Sequence, residues 1–328
     1  MSMNTTGTVG PVQNTAWTNK WLAIHDDNEV TGITSTYYDI PAGSTKILTL
    51  NKDNVYDGYI GELEEGITPA ATPYGNTSIT VTTTQYGAIT IITDVMELTN
   101  DYKTAPRVMN RMQRWFDRTI EYLNLTELLT ATNTYGVDDD ATGDVVASYS
   151  GTSTDVDGFL TLEAQQTVTQ VLINNKADTF RELVRPSGDY ASSPVGATFI
   201  GYAPKAARTK LYNLIKTSGT LVEAYSRPEQ SHKDEVGVLD NVRWILSDEL
   251  NNFSTGDGAN SGTVYPTFIL GMDSWGKVRL SGGSFNMYNR DFGYGTDTLN
   301  QRKEIGLKFW HAAAITNDDW LIRLDIEV

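Results

Sequence analysis

The 328-residue chain carries 41 acidic against 25 basic side chains, a formal net charge of −16, and no cysteine. Without cysteine there are no disulfides, thiolate nucleophiles or Cys-ligated zinc or iron–sulfur centres, which fits maturation in a reducing compartment. The acidic balance argues against wrapping nucleic acid, where Lys and Arg supply most of the affinity. The mean hydropathy is −0.33, and no stretch approaches the ~20 apolar residues of a membrane-spanning helix.

Residues 1–36 read as an irregular polar arm of Thr, Asn, Gly and Asp, punctuated by Trp17 and Trp21. The stretch from Met1 to Trp17 has neither the basic nor the apolar region of a secretory signal. Ser44 to Lys52 alternates as a short strand, and Thr77 to Asp94 predicts a second, longer one. Between them, Asp53 to Tyr74 is rich in turn formers, among them Asp57-Gly58, Gly61, Gly66, Pro69 and Pro73. The segment is therefore expected to be a long hairpin with a tip too polar to pack on its own core.

The strongest helix signal runs from Thr104, a capping residue, to about Thr130, with Pro106 in the first turn. Met109, Met112, Phe116, Ile120 and Leu123 recur at helical spacing and form one apolar face. Arg107, Arg111, Arg114 and Arg118 fall on the opposite side at roughly 100° per residue. The bland account of this ridge is a solvated face, paired in part with Asp117 and Glu121. Because the surrounding chain is acidic, the ridge is also expected to meet a negative surface, either a neighbouring subunit or DNA.

Further helices are expected over Thr161 to Lys176 and Lys205 to Lys216. Strands are expected over Ala197 to Tyr202, Val236 to Leu246 and Val264 to Leu270. The end of the chain reads as an amphipathic hairpin: Ile305 to Ile315 leads through Asn317-Asp318-Asp319 into a strand ending at Val328. In that last strand Arg323, Asp325 and Glu327 face away from the apolar side. The class is α+β.

Motifs for chemistry are incomplete. Gly271 to Lys277 matches seven positions of a phosphate-binding loop, but Val278 stands where a hydroxyl must reach magnesium, so the stretch reads as a glycine turn from strand to helix. Ser153 to Gly158 resembles the start of a calcium loop, but Ala164 stands where a glutamate is required. His25, His232 and His311 share no ligand spacing, and His311 reads as a packed residue. No metal, cofactor or catalytic set follows from these residues, and the expectation is a protein without enzymatic activity. Tyr288, Arg290, Phe292 and Tyr294 alternate near five glycines, and they read as an irregular loop at an inter-subunit interface.

Three segments carry a resemblance: Glu65 to Asp94, Glu235 to Leu250, and Thr298 to Leu324 together with the preceding YPTFILGMDSWGKV. They resemble the major capsid family of podophage-type tailed bacteriophages, with the Hong Kong 97 fold. Lys303 and Glu304 depart from the family pattern, which has a glycine after the Gln301-Arg302 pair. The resemblance implies an N-terminal arm (1–36), an extended loop (37–95), a peripheral domain with a spine helix (96–140 and 300–328) and a mainly axial domain (141–299). It implies a structural protein whose copies form pentamers and hexamers and close into an icosahedral shell around double-stranded DNA. The shell would be assembled in the bacterial cytoplasm and found in the virion. Implied partners are a separate scaffolding protein (the chain lacks a long helical N-terminal extension), a portal and a decoration protein, with no membrane. An encapsulin-like compartment shares the fold. A carbohydrate-binding adhesin would account for the Thr, Gly and Trp content but requires a complete calcium or sugar site.

Overall fold

The structure, a computed structural model, describes residues 29–54, 56, 60–62, 65–66, 68, 70–99, 104–138, 144–146, 149, 151–152, 155–180, 183–185, 193–195, 197–218, 234–281, 283, 285–293, 295 and 297–328. Most of the polar arm, with Trp17, Trp21 and His25, lies outside the described residues, as do His232 and Tyr294.

The strands are β1 (Thr36–Ile40), β2 (Ile47–Asp53), β3 (Asn76–Thr82), β4 (Thr84–Thr93), β5 (Thr134–Gly136), β6 (Leu183–Arg185), β7 (Ser193–Val195), β8 (Phe199–Pro204), β9 (Glu235–Leu239), β10 (Val242–Ser247), β11 (Gly256–Asp257), β12 (Thr263–Leu270), β13 (Trp275–Leu280), β14 (Asn286–Arg290), β15 (Arg302–Ile315) and β16 (Leu321–Glu327). The helices are α1 (Asp94–Thr99), α2 (Thr104–Leu128), α3 (Leu162–Asn174) and α4 (Arg208–Ser218). A seven-stranded sheet runs β5-β16-β12-β8-β10-β9, with β11 on β12; a five-stranded sheet runs β1-β13-β15-β14, with β4 on β15. β2–β3 and β6–β7 are separate ribbons.

Burial on both faces explains the sequence of the seven-stranded sheet. Val242, Trp244 and Leu246 of β10 face α3 and α4 with Leu172 and Leu211, while Ile245 faces the end of α2 with Leu125 and Leu128. A strand covered twice needs apolar residues at both parities, so β8 reads as a near-continuous apolar run and β10 as one interrupted by Arg243, whose guanidinium pairs with buried Glu235. The pairing Trp244↔Gly201 holds the indole over a position with no side chain, and a Cβ on Gly201 would lie 2.7 Å from the ring. α2 covers the five-stranded sheet along its apolar stripe, with Met112 buried among Ile92, Ile305 and Leu307 and the Phe116 ring edge-on to Phe309 at 4.8 Å. One helix thus serves two cores: its first half packs one face on the five-stranded sheet, and its last turns also pack under the seven-stranded one.

Several expectations are corrected. The strand expected over Thr77 to Asp94 divides at Thr83: β3 pairs with β2, whereas β4 leaves the ribbon to pair with β15. Thr83 makes the break with its N–H and hydroxyl both donating to the Lys46 carbonyl. The strand expected over Val236 to Leu246 is the hairpin β9–β10, turned at Asp240 in the left-handed region (φ 46°). The turn residues are Asp240-Asn241, a polar pair between two apolar runs that marks a two-residue hairpin turn.

The C-terminal hairpin does not form. β15 belongs to the five-stranded sheet and β16 to the seven-stranded one, because Thr316 and Asn317 donate back to the Ser274 carbonyl and redirect the chain. The polar side of β16 is buried as well. Asp325 pairs with Arg323 at 2.7 Å and accepts the Tyr149 hydroxyl at 2.9 Å. Glu327 accepts backbone N–H groups from Asn260 and Gly262. The glycine turn after β12 leads into strand β13 rather than a helix, which carries Lys277 into the interior. Lys303 and Glu304 lie in β15, with Lys303 reaching Asp291 at 2.8 Å, so no turn follows Arg302.

Candidate interface surfaces

The arginine ridge lies on α2 as its periodicity requires. Arg111, Arg114 and Arg118 are exposed and Arg107 is half-buried. Its expected partners are different, however. Arg118 donates to Glu249 at 2.9 Å, an exposed guanidinium on a buried carboxylate. Glu121 is 1% exposed and bonds inward to Val30, Thr31 and Ser247, so it is not available to the ridge. Further along the same side, Leu125 is wholly buried, so the ridge ends where α2 enters the second core. Asp117 is half-buried, and burial pushes its carboxyl up.

The aromatic–arginine alternation is a strand. Tyr288 and Arg290 lie on β14, an edge strand paired with β15, and both are exposed; Phe292 follows in a turn, half-buried. The irregular loop expected there is thus ordered by pairing Tyr288↔Gly306 and Arg290↔Glu304.

Sequence reasoning missed an exposed apolar surface on β4 and α1. On the side of β4 away from α2, Ile89 is 70% exposed and Ile91 53%. Val95, Met96 and Leu98 of α1 continue the patch, with Leu98 84% exposed, and nothing in α1 is buried. Between Ile89 and Tyr288, Gly87 and Gly306 leave a groove of about 730 Å³, also lined by Arg290, Glu304 and Lys308. The available signal was AITIIT, which has β-branched residues at both parities where a one-sided strand needs only one.

β4 also presents an edge. Asp94 N–H donates to the Gln301 carbonyl and Trp310 N–H to Gly283, each at 3.0 Å. Antiparallel ladders alternate bonded and non-bonded pairs. Counting from these, the backbones of Gln85, Gly87, Ile89, Ile91 and Thr93 point away from β15, and among the described residues no strand lies on that side. Among the described residues the β2–β3 ribbon pairs with no other strand, and its one buried residue, Val81, packs with half-buried Leu48 and Ile79 on Ile40, Val278 and Ala314 of the five-stranded sheet. The described segments of its tip are exposed, Ile60 completely.

Among the described residues no group of three or more His, Asp or Glu side chains is placed to hold a metal ion. His311 is packed as expected, with Nε2 3.0 Å from Asn124 Oδ1.

No family model and no curated protein matches the chain. Solved structures do match it. The capsid subunit of cyanophage Pam1 superposes with a TM-score of 0.68 at 14% identity, covering 96% of both chains. The fold is the Hong Kong 97 capsid fold. Ralstonia phage GP4 capsid matches at TM-score 0.64 and 10% identity over 100% of this chain and 98% of the other. Cyanophage P-SCSP1u capsid matches at 0.63 and 13% over 97% and 95%.

Proposed function

We propose that the chain is the major capsid protein of a tailed phage, a structural subunit whose copies form pentamers and hexamers and close into an icosahedral shell around double-stranded DNA. One observation carries the reading: a capsid fold matched along its whole length has a strand edge, an apolar patch, and a ribbon tip and outer face that find no cover among the described residues of the subunit. An isolated two-stranded ribbon is marginal in water, and an exposed edge is a template for pairing with another chain. Neighbouring copies supply both covers, with ribbon and arm lying across the next subunit through heterologous contacts.

In this reading the seven-stranded sheet with α3 and α4 is the axial unit, and α2 with the five-stranded sheet the peripheral one. The arm, expected over 1–36, is rooted at residues 29–34, and the extended loop, expected over 37–95, is the β2–β3 ribbon with its tip, since β1 and β4 pair into the five-stranded sheet. The arginine ridge faces a neighbour or the DNA; Tyr288 and Arg290 line the groove, and with Phe292 and Tyr294 they form an inter-subunit contact. A scaffolding protein, a portal and a decoration protein complete the assembly, which forms in the host cytoplasm and ends in the virion.

Electron microscopy and light scattering of the purified protein test this. Rings or closed shells are expected; a stable monomer at every concentration, with the ribbon protected from protease, overturns it. Reversing Arg111 and Arg114 to Glu separates the roles of the ridge at a stability cost within about 1 kcal/mol. Failed assembly assigns the ridge to a neighbour, and normal shells with reduced genome retention assign it to DNA.

A further inference from the structure

The first described residues, Glu29 to Thr34, follow directly on the long polar segment 1–28, yet three elements hold them. From α2, Glu121 Oε2 accepts the Val30 N–H at 3.1 Å, the Thr31 N–H at 3.0 Å and the Thr31 hydroxyl at 2.6 Å. One turn on, Asn124 Nδ2 donates to Thr31 Oγ1 at 3.0 Å and to Glu29 at 3.4 Å. Tyr202 of β8 donates to the Val30 carbonyl at 3.3 Å and lies 3.1 Å from Thr34 Oγ1. From β13, Trp275 donates to Thr34 Oγ1 at 3.0 Å, and Lys277 pairs with Glu29.

The central group of this network is an odd choice for a core. Glu121 Oε1 takes only the Ser247 hydroxyl, at 3.0 Å, and no cation bonds the carboxylate among the described residues. The charged and titratable groups around it are engaged elsewhere: Arg118 with Glu249, Lys277 with Glu29, and His311 with Asn124. Burial pushes the Glu121 carboxyl up, against the hydrogen bonds that lower it. A buried carboxylate without a cation costs stability that an apolar residue would not. What three converging donors provide instead is one geometry for Val30 and Thr31, since a satisfied buried polar network excludes alternative packings.

We propose that Glu121 is a positioning residue for shell assembly: it clamps Val30–Thr31 to α2 and so fixes the point and direction in which residues 1–28 leave the subunit toward a neighbour. The clamp rests on the shell reading for its purpose, but its existence can be measured on the subunit alone. A 28-residue arm swung from a loose root would sample many neighbours' positions, whereas one swung from a clamped root is aimed.

Amide hydrogen exchange at Val30 and Thr31, divided by intrinsic rates, reads the clamp. Glu121→Ala is expected to speed exchange there by about tenfold or more while β10 stays protected. Ser247→Ala removes only the Oε1 bond and is expected to leave Val30 and Thr31 protected. Glu121→Gln keeps an acceptor but cannot ionise. In the wild type, protection should fall as pH rises through the raised carboxyl value, because the clamped form prefers the proton; in Glu121→Gln that response should vanish. Folded Glu121→Ala subunits should yield irregular shells or none, while Ser247→Ala assembles. Unchanged exchange in Glu121→Ala overturns the clamp, and lost protection with normal shells overturns its positioning role. If Glu121→Ala does not fold, Thr31→Val, which deletes one of the three bonds, decides by the same two readouts. If the wild type makes no shells, the shell reading fails by itself, and exchange still accepts or rejects the clamp.

Discussion

The β2–β3 ribbon and the β8–β10 pair are both rich in branched apolar residues, yet they serve opposite ends. β10 is buried at all six positions, with helices on one face and α2 on the other. The ribbon buries Val81 alone. Its alternation of Thr with Ile, Leu and Val lays Leu48, Ile79 and Val81 on the five-stranded sheet and leaves the other face exposed for a partner. The lesson is that stability and association are carried by separate parts of this chain, and the contrast can be broken from either side.

The largest effect is expected in the buried pair. Trp244→Ala removes a wholly buried indole and its bond to Gln165 at 3.0 Å. It should cost about 3–5 kcal/mol, read as a large drop in the denaturation midpoint; a small drop would mean that the sheet is not the stability core.

Next comes His311, where the two regions meet on β15. Burial, then the nearby Lys277 charge, hold its imidazole down to about 4. The folded chain therefore gives up this proton more readily than the unfolded one. The stability tied to His311 is complete above the ordinary imidazole range and is lost as pH falls through it toward 4. The loss should reach roughly 3 kcal/mol, measured as denaturation midpoint against pH, and His311→Gln should flatten that slope.

The smallest effect on folding, and the largest on assembly, is expected from excising residues 55–73 and closing the ribbon with a short turn. The described part of this tip is exposed, so stability should change by no more than about 0.5 kcal/mol, while regular shells disappear from micrographs. Loss of the folded subunit would place the tip in the core and erase the contrast between ribbon and sheet.

Local periodicity and turn chemistry, by themselves, determined α2 with its stripe and ridge, the helix α3, the ribbon and its turn-rich tip, and the packed place of His311. Each of these is set by residues a few positions apart. The fate of residues whose partners are distant in sequence was decided only by the tertiary structure. A polar side chain at an outward parity is exposed if nothing covers it and buried if a partner arrives, and Asp325 meets Tyr149 across 176 positions. Glu121 read as a partner for an arginine one turn away and instead holds Thr31, 90 positions back. Apolar alternation likewise records that a strand has a buried face but not which sheet provides it. That is why β3 and β4 read as one strand and β15 and β16 as a hairpin, when the chain deals each pair to different sheets.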